Sequence, residues 1–192
     1  MSHFFAFISR LKYIDRWALM RNSTRENLSE HSLEVAMLAH ALCIIGNKRF
    51  AKKLNADRAA VIGMYHDTTE IITGDMPTPI KYFNSDIIEA FKQIEANAAF
   101  RLVRMLPGDL QSEYREIYEP AADMDYEKKL VKAADKLSAL IKCKEERKAG
   151  NGEFKKAEKA TEKYLREMKL PEVEVFMEEF LPSYDKTLDE LA

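Results

Sequence analysis

Four side chains spread along the chain have the chemistry to hold a divalent cation: His31, the adjacent pair His66 and Asp67, and Asp135. Each falls on an apolar stripe of helical spacing. His31 opens a run through Val35, Leu38, Leu42 and Ile45, which recur as one helix face. His66 shares a face with Ile62 and Thr69, with Asp67 one step round, and Asp135 lies with Val131, Ala134, Ser138 and Ile141. Taken singly, a histidine on an apolar face is more often a hydrogen-bonded core residue, and a lone aspartate a cap or ion-pair member. Taken together they need a counter-charge. An unpaired interior charge costs about several kcal/mol, on the order of a domain's whole stability. A cation supplies that charge. The nitrogen and oxygen donors, without thiolate, suit manganese, cobalt, iron, nickel or zinc. Four protein ligands leave positions open for water and substrate. His40 is nine residues beyond His31, so steps of about 100° put it on the opposite face, and His3 has no acidic neighbour; both are read as structural.

The elements that must carry these side chains read as helices throughout. Phe4, Ile8 and Leu11 form a first stripe, followed by a polar stretch from Arg16 to Asn27 with no period. Asn27 with Glu30 is a capping box, and Gly46-Asn47 is expected to close the helix behind it. Asp57 to Ile72 reads as one continuous helix ended by Gly74, and "GDMPTP" as a rigid non-helical loop. Helices are expected over Ile87–Leu106 and Glu127–Ala149. "GNG" then breaks the chain before a charged helix to about Met168, and Pro171 opens a last one bearing Val173, Phe176 and Phe180. No alternating run suggests a sheet. The expectation is an all-α single domain over 1–192, with C-terminal helices from about 153 as an extension.

The 192 residues are 46% apolar and 32% charged, a folded composition. A net charge of −2 argues against a nucleic acid polymer or an acidic membrane as partner. Two cysteines without close spacing make neither a zinc finger nor a disulfide framework. The N-terminus lacks a signal-peptide pattern, and the longest uncharged run, Val35 to Asn47, is shorter than a membrane helix needs. The expected location is the cytoplasm.

His31, His66-Asp67 and Asp135, in that order on three helices, resemble the H…HD…D signature of HD-domain metal-dependent phosphohydrolases. The longer strings "RWALMRNSTRENLSEHS", "YHDTTEIITGDMPTPIKYFN" and "VKAADKLSALIKCKEERKAGNGEF" resemble the bacterial 5′-deoxynucleotidases within that superfamily, and the similarity covers almost the whole chain. The resemblance implies a helical HD fold, one divalent metal (cobalt or manganese foremost) and a homodimer. It also implies hydrolysis of deoxyribonucleoside 5′-monophosphates to deoxynucleoside and phosphate. On this reading His31, His66, Asp67 and Asp135 are metal ligands, three of them (His31, Asp67 and Asp135) also facing the substrate.

Glu70 follows His66 by four residues and Asp67 by three, so it projects beside both and is a candidate to orient water or move protons. Arg16 carries a guanidinium that matches phosphate with two parallel hydrogen bonds. Arg16 and Trp17 match family residues that hold the substrate phosphate. Asp75, Met76, Pro77 and Thr78 match a loop near the sugar, where Asp75 could accept the 3′-hydroxyl and a stiff wall exclude a 2′-hydroxyl. Other HD activities are the alternatives. Alarmone hydrolases carry a second acid where this chain has Ile71, two-metal phosphodiesterases need further histidines, and triphosphohydrolases need more cationic groups. A non-catalytic, metal-stabilised interaction module needs ligands only, without Glu70, Arg16 or the loop.

Overall fold

The computed structural model describes residues 1–81 and 83–192, with Thr78 described in its backbone alone. The chain is built of helices α1 (Phe4–Ile8), α2 (Leu28–Arg49), α3 (Ala56–Tyr65), α4 (Glu70–Thr73), α5 (Thr78–Lys81) and α6 (Ser85–Arg104). It continues through α7 (Gln111–Tyr118), α8 (Asp125–Lys148), α9 (Lys155–Glu167), α10 (Pro171–Glu179) and α11 (Leu188–Leu191). Among the described residues the sole extended pairing is an antiparallel bridge between Asp15 and Asn27. The fold is all-α.

Helix α2 is started by the capping box read from the sequence. The Asn27 side chain accepts from the Ser29 and Glu30 N–H groups, and Glu30 accepts in return from the Asn27 N–H. Its apolar face, Val35, Leu38, Ala39 and Leu42, meets Ala59 and Ile62 of α3 and Leu130, Ala134, Leu137 and Ile141 of α8. Leu165 of α9 and Val173, Phe176 and Met177 of α10 join the same core. Phe176 is therefore interior, stacked 5.4 Å from the more exposed Phe180.

Several boundaries differ from expectation. Helix α2 passes through Gly46 and ends at Arg49, so it is long and apolar enough to cross a membrane. A core helix passes the same test, and 56% of its apolar 18-residue window is buried. Gly46 is a contact glycine. A Cβ there would sit 2.8 Å from Glu172 Oε1 and 2.9 Å from Leu54 Cδ1, so a larger residue would have to displace the ends of those two side chains. The expected Asp57–Ile72 helix is two helices separated by the turn His66–Thr69. The extended loop covers Gly74 to Pro77, while Thr78 and Pro79 already lie in α5. A first helical turn tolerates proline because its N–H groups have no intrahelical partner. Helix α7 was not foreseen. The bounds of α6 and α8 agree with expectation within two residues.

Candidate active site

The site is assembled where α2, the end of α3 and α8 meet. The approach of α3 to α2 depends on Gly63. A Cβ there would lie 3.1 Å from Ala36 Cα and 3.2 Å from Ala36 N, so the two backbones nearly touch. Three residues on, the helix breaks. The Thr68 hydroxyl donates to the Tyr65 carbonyl at 2.7 Å, and the N–H groups of Thr68, Glu70, Ile71 and Ile72 each bond three residues back. Such local competition with the i→i−4 ladder ends a helix. The turn sets His66 and Asp67 at the end of α3, close to α2.

His31 is fully buried on the first turns of α2. Its Nε2 lies 3.5 Å from Asp67 Oδ2 and 3.3 Å from Asp135 Oδ1, and His66 Nε2 lies 3.1 Å from Asp67 Oδ2. His31, His66 and Asp67 offer donor atoms all within 4.8 Å of one another. The structure thus brings the four residues together. Both Nε2 atoms are buried and make no aligned hydrogen bond among the described residues. Buried nitrogens near carboxylate oxygens, without hydrogen-bond alignment, fit donors facing a shared cation.

The opposite ring nitrogens are held so as to keep Nε2 free. His66 Nδ1 bonds the Gly63 carbonyl at 2.6 Å. The Ser138 hydroxyl lies 2.9 Å from His31 Nδ1 and donates to Glu34 Oε2 at 2.5 Å. Its proton is committed to Glu34, so its oxygen accepts from His31 Nδ1–H. Partners of this kind fix the tautomer of metal-binding histidines.

Electrostatics point the same way. Burial works against a charged His66, but Asp67 and then Asp135 overcome it and lift the group to about 9. Burial would raise the two aspartates. His66 and His31 instead hold Asp67 well below the carboxylate range, and His31 and Lys136 do the same for Asp135. The pair of carboxylates draws in positive charge, by a proton on His66 when nothing else supplies it. Glu70 is the reverse case. Burial pushes it up to about 9, helped by Asp67 and Asp75. It is not a surface glutamate: its Oε2 is buried without a partner among the described residues, and Lys81 Nζ is 3.8 Å from Oε1.

Arg16, Trp17 and Asp75 meet beside this cluster. Burial opposes the Arg16 charge, but Glu26 and then Asp135, Asp67 and Asp75 more than restore it, so the guanidinium faces the acidic site. Trp17 takes a left-handed backbone, φ 58°, which costs a non-glycine residue on the order of 1 kcal/mol. Its N–H donates to Asp75 Oδ2 at 3.2 Å and its ring packs 5.3 Å from Phe154. Asp75 thereby ties the Gly74–Pro77 loop to the Arg16–Trp17 segment. Met76 and Pro77 are half-buried in that loop, and the Thr78 side chain lies outside the described residues. His40 pairs with the exposed Asp57 at 3.7 Å, away from the quartet, and His3 is exposed at the start of α1.

The sequence reading missed Glu26, the Ser138–Glu34 pair and Lys81. It also missed Glu146, which seats the loop before Asn27. Glu146 is almost fully buried and accepts from Ser23 N–H, Thr24 N–H, Lys142 and Asn151. Its i,i+4 spacing from Lys142 was the one available signal.

This fold is that of HD-domain phosphohydrolases. An HD-domain phosphohydrolase from Listeria innocua superposes with a TM-score of 0.81 at 22% identity, over 95% of this chain and 88% of that one. The cyanophage S-2L HD phosphohydrolase DatZ, solved bound to dA and one catalytic Zn2+ ion, superposes with a TM-score of 0.68 at 21% identity, over 95% of this chain and 96% of that one. Within this class, residues 3–184 match the model of the YfbR-like 5′-deoxynucleotidases, and the chain belongs to that family. It is 52% identical over 192 residues to 5′-deoxynucleotidases of Yersinia pestis (strain Pestoides F) and Yersinia pseudotuberculosis (serotype O:3, strain YPIII), covering 100% of this chain and 98% of each relative.

Proposed function

We infer that this protein hydrolyses deoxyribonucleoside 5′-monophosphates to deoxynucleoside and inorganic phosphate. The observation that carries the reading is the convergence of two unpartnered Nε2 atoms on Asp67 and Asp135. It occurs in a chain 52% identical over its full length to curated 5′-deoxynucleotidases. His31, His66, Asp67 and Asp135 would hold one divalent cation, with cobalt or manganese proposed. The ion bound to DatZ keeps zinc within the range of this donor set. A bound cation supplies a Lewis acid that polarises a phosphoryl oxygen and acidifies water, lowering its pKa from roughly 15.7 to about 7.

The chain's own residues do the rest. Arg16, with Trp17 beside it, orients the phosphate and offsets its charge. Glu70, buried and raised toward neutrality and beyond, can take or return a proton at the attacking water or the leaving 5′-oxygen. Asp75, fixed by Trp17 N–H, faces the sugar and accepts the 3′-hydroxyl. Met76 and Pro77 would form the wall against which a 2′-hydroxyl collides.

We further propose a homodimer, for which the exposed Leu33 and Met37 on α2 offer an apolar surface, and a cytoplasmic location, in keeping with two free, buried cysteines. Phosphate release from dAMP, AMP, dGTP, a cyclic dinucleotide and an alarmone, each with added metal and with chelator, tests the reading. Metal-dependent turnover of dAMP with little on the others is expected. Turnover of AMP equal to dAMP removes the loop's role, and no release from any monophosphate removes the function.

A further inference from the structure

Glu26 closes the polar segment that Arg16 opens. Its Oε2 accepts from Arg16 Nη1 at 2.8 Å and from Trp17 Nε1 at 3.1 Å, and its backbone carbonyl accepts from the Arg16 N–H at 2.9 Å. The two charged side chains are nearly buried, 10% and 13% exposed. One carboxylate oxygen therefore ties a guanidinium and an indole together. The segment's backbone is seated without it. The Asp15–Asn27 bridge closes its base. Glu146 holds the N–H groups of Ser23 and Thr24, Lys142 bonds the Thr24 carbonyl, and Asn151 bonds the Arg21 carbonyl. What remains for the Glu26 side chain is the aim of Arg16 and Trp17.

We propose that Glu26 is a positioning residue for the substrate phosphate, holding Arg16 and Trp17 as one preformed unit. The proposal rests on the phosphomonoesterase reading above. A guanidinium carries five N–H donors, and bidentate phosphate recognition uses two of them in parallel. Engaging Nη1 from behind fixes the plane of the fork while other N–H groups remain for phosphate. The same oxygen fixes the indole, so loss of Glu26 releases both side chains at once. Free rotation of a long arginine would then have to be arrested at each binding event.

The test is kinetic and spectroscopic. Glu26→Ala removes the acceptor, and Glu26→Gln keeps a carbonyl oxygen at the same reach. With metal-loaded enzyme and dAMP, Glu26→Ala is expected to lower kcat/KM about 10- to 100-fold, chiefly through KM, and Glu26→Gln to stay within about fivefold of the parent. In an Arg16→Ala background, adding Glu26→Ala should cost less than about threefold, because the two act as one unit. A purely structural role would leave the two substitutions multiplicative. Trp17 is the one tryptophan in the chain. Its emission should shift in Glu26→Ala and not in Glu26→Gln, without substrate present and with far-ultraviolet circular dichroism preserved. If Glu26→Ala does not fold, Glu26→Asp, too short to reach both nitrogens, should show the same loss. Parent-like kinetics and emission in the folded variant, equal damage from Glu26→Gln, or multiplicative effects with Arg16→Ala each overturn the proposal. A parent inactive on every monophosphate would sink the functional reading instead, and the Trp17 emission would still decide this one.

Discussion

Replacing Gly63 with alanine adds one methyl group at the tightest helix contact near the site. The new Cβ would stand 3.1 Å from Ala36 Cα, 3.2 Å from Ala36 N and 3.3 Å from the Val35 carbonyl oxygen. Ordinary carbon contacts are about 3.5–4.0 Å. The neighbours are backbone, not the end of a flexible side chain, so α3 must move off α2 by a few tenths of an ångström. His66 is bonded through Nδ1 to the carbonyl of Gly63 itself, so the shift passes directly to its Nε2. Two opposing effects fix the change in stability. Alanine gains about 1 kcal/mol in helix propensity, and overpacking costs about 1–3 kcal/mol. The net is a loss of about 0–2 kcal/mol, a fall in Tm of a few degrees for a chain of this size. Metal binding should suffer more. Ligand distances tolerate only about 0.2 Å, and disturbed supporting contacts cost about 10- to 100-fold in affinity. Calorimetric titration of the metal-free protein with manganese and cobalt measures the affinity, and a thermal melt of the same sample measures the stability. Unchanged affinity together with a raised Tm would refute the reasoning, because the close approach would then not set the donor geometry.

Three further outcomes are expected. Glu70→Ala should bind metal as the parent does but lose about 100-fold or more in kcat on dAMP; near-parent turnover would remove Glu70 from the chemistry. The proton that His66 holds with a pKa of about 9 in the metal-free site must leave when a cation binds. Apparent metal affinity should therefore climb with pH up to about 9 and level off above it, with proton release visible as a buffer-dependent heat; a flat profile between pH 6 and 9 contradicts this. Lys142, Asn151 and the N–H groups of Ser23 and Thr24 outweigh burial and hold Glu146 at about 2, below its ordinary 4.5. A depressed carboxylate stabilises fully above its unfolded pKa and loses that contribution as pH falls through the folded one. The Tm gap between parent and Glu146→Gln should accordingly be widest above pH 5 and narrow steadily below pH 4.5, and a gap independent of pH would count against the anchor.

Much of this was legible in the sequence, and the limits have physical causes. The capping box at Asn27 and Glu30, the stripes of α2 and α8, and the ordered histidine and aspartate set are periodic or local signals. The break at His66–Thr69 is not. The apolar period runs on through Thr69, and only the Thr68 hydroxyl bonding backward shows why the ladder stops. From sequence, Gly46 suggests a stop because helix-ending glycines are common. Here the helix runs on through it, and the side-chain ends of Glu172 and Leu54, which come from elsewhere in the chain, close on its open face. Thr78 and Pro79 suggest a loop because proline breaks helix interiors, yet a first turn admits it. Glu26 was invisible for another reason. The Arg16–Asn27 segment has no period, so nothing distinguishes a glutamate holding two side chains from a solvated one until the loop is closed.

The most direct measurement is anomalous diffraction from crystals soaked in cobalt or manganese. One strong peak is predicted, with His31 Nε2, His66 Nε2, Asp67 and Asp135 at about 2.0–2.3 Å. A peak bonded elsewhere, or no ion within reach of those four side chains, would contradict the site on which the proposed catalysis rests.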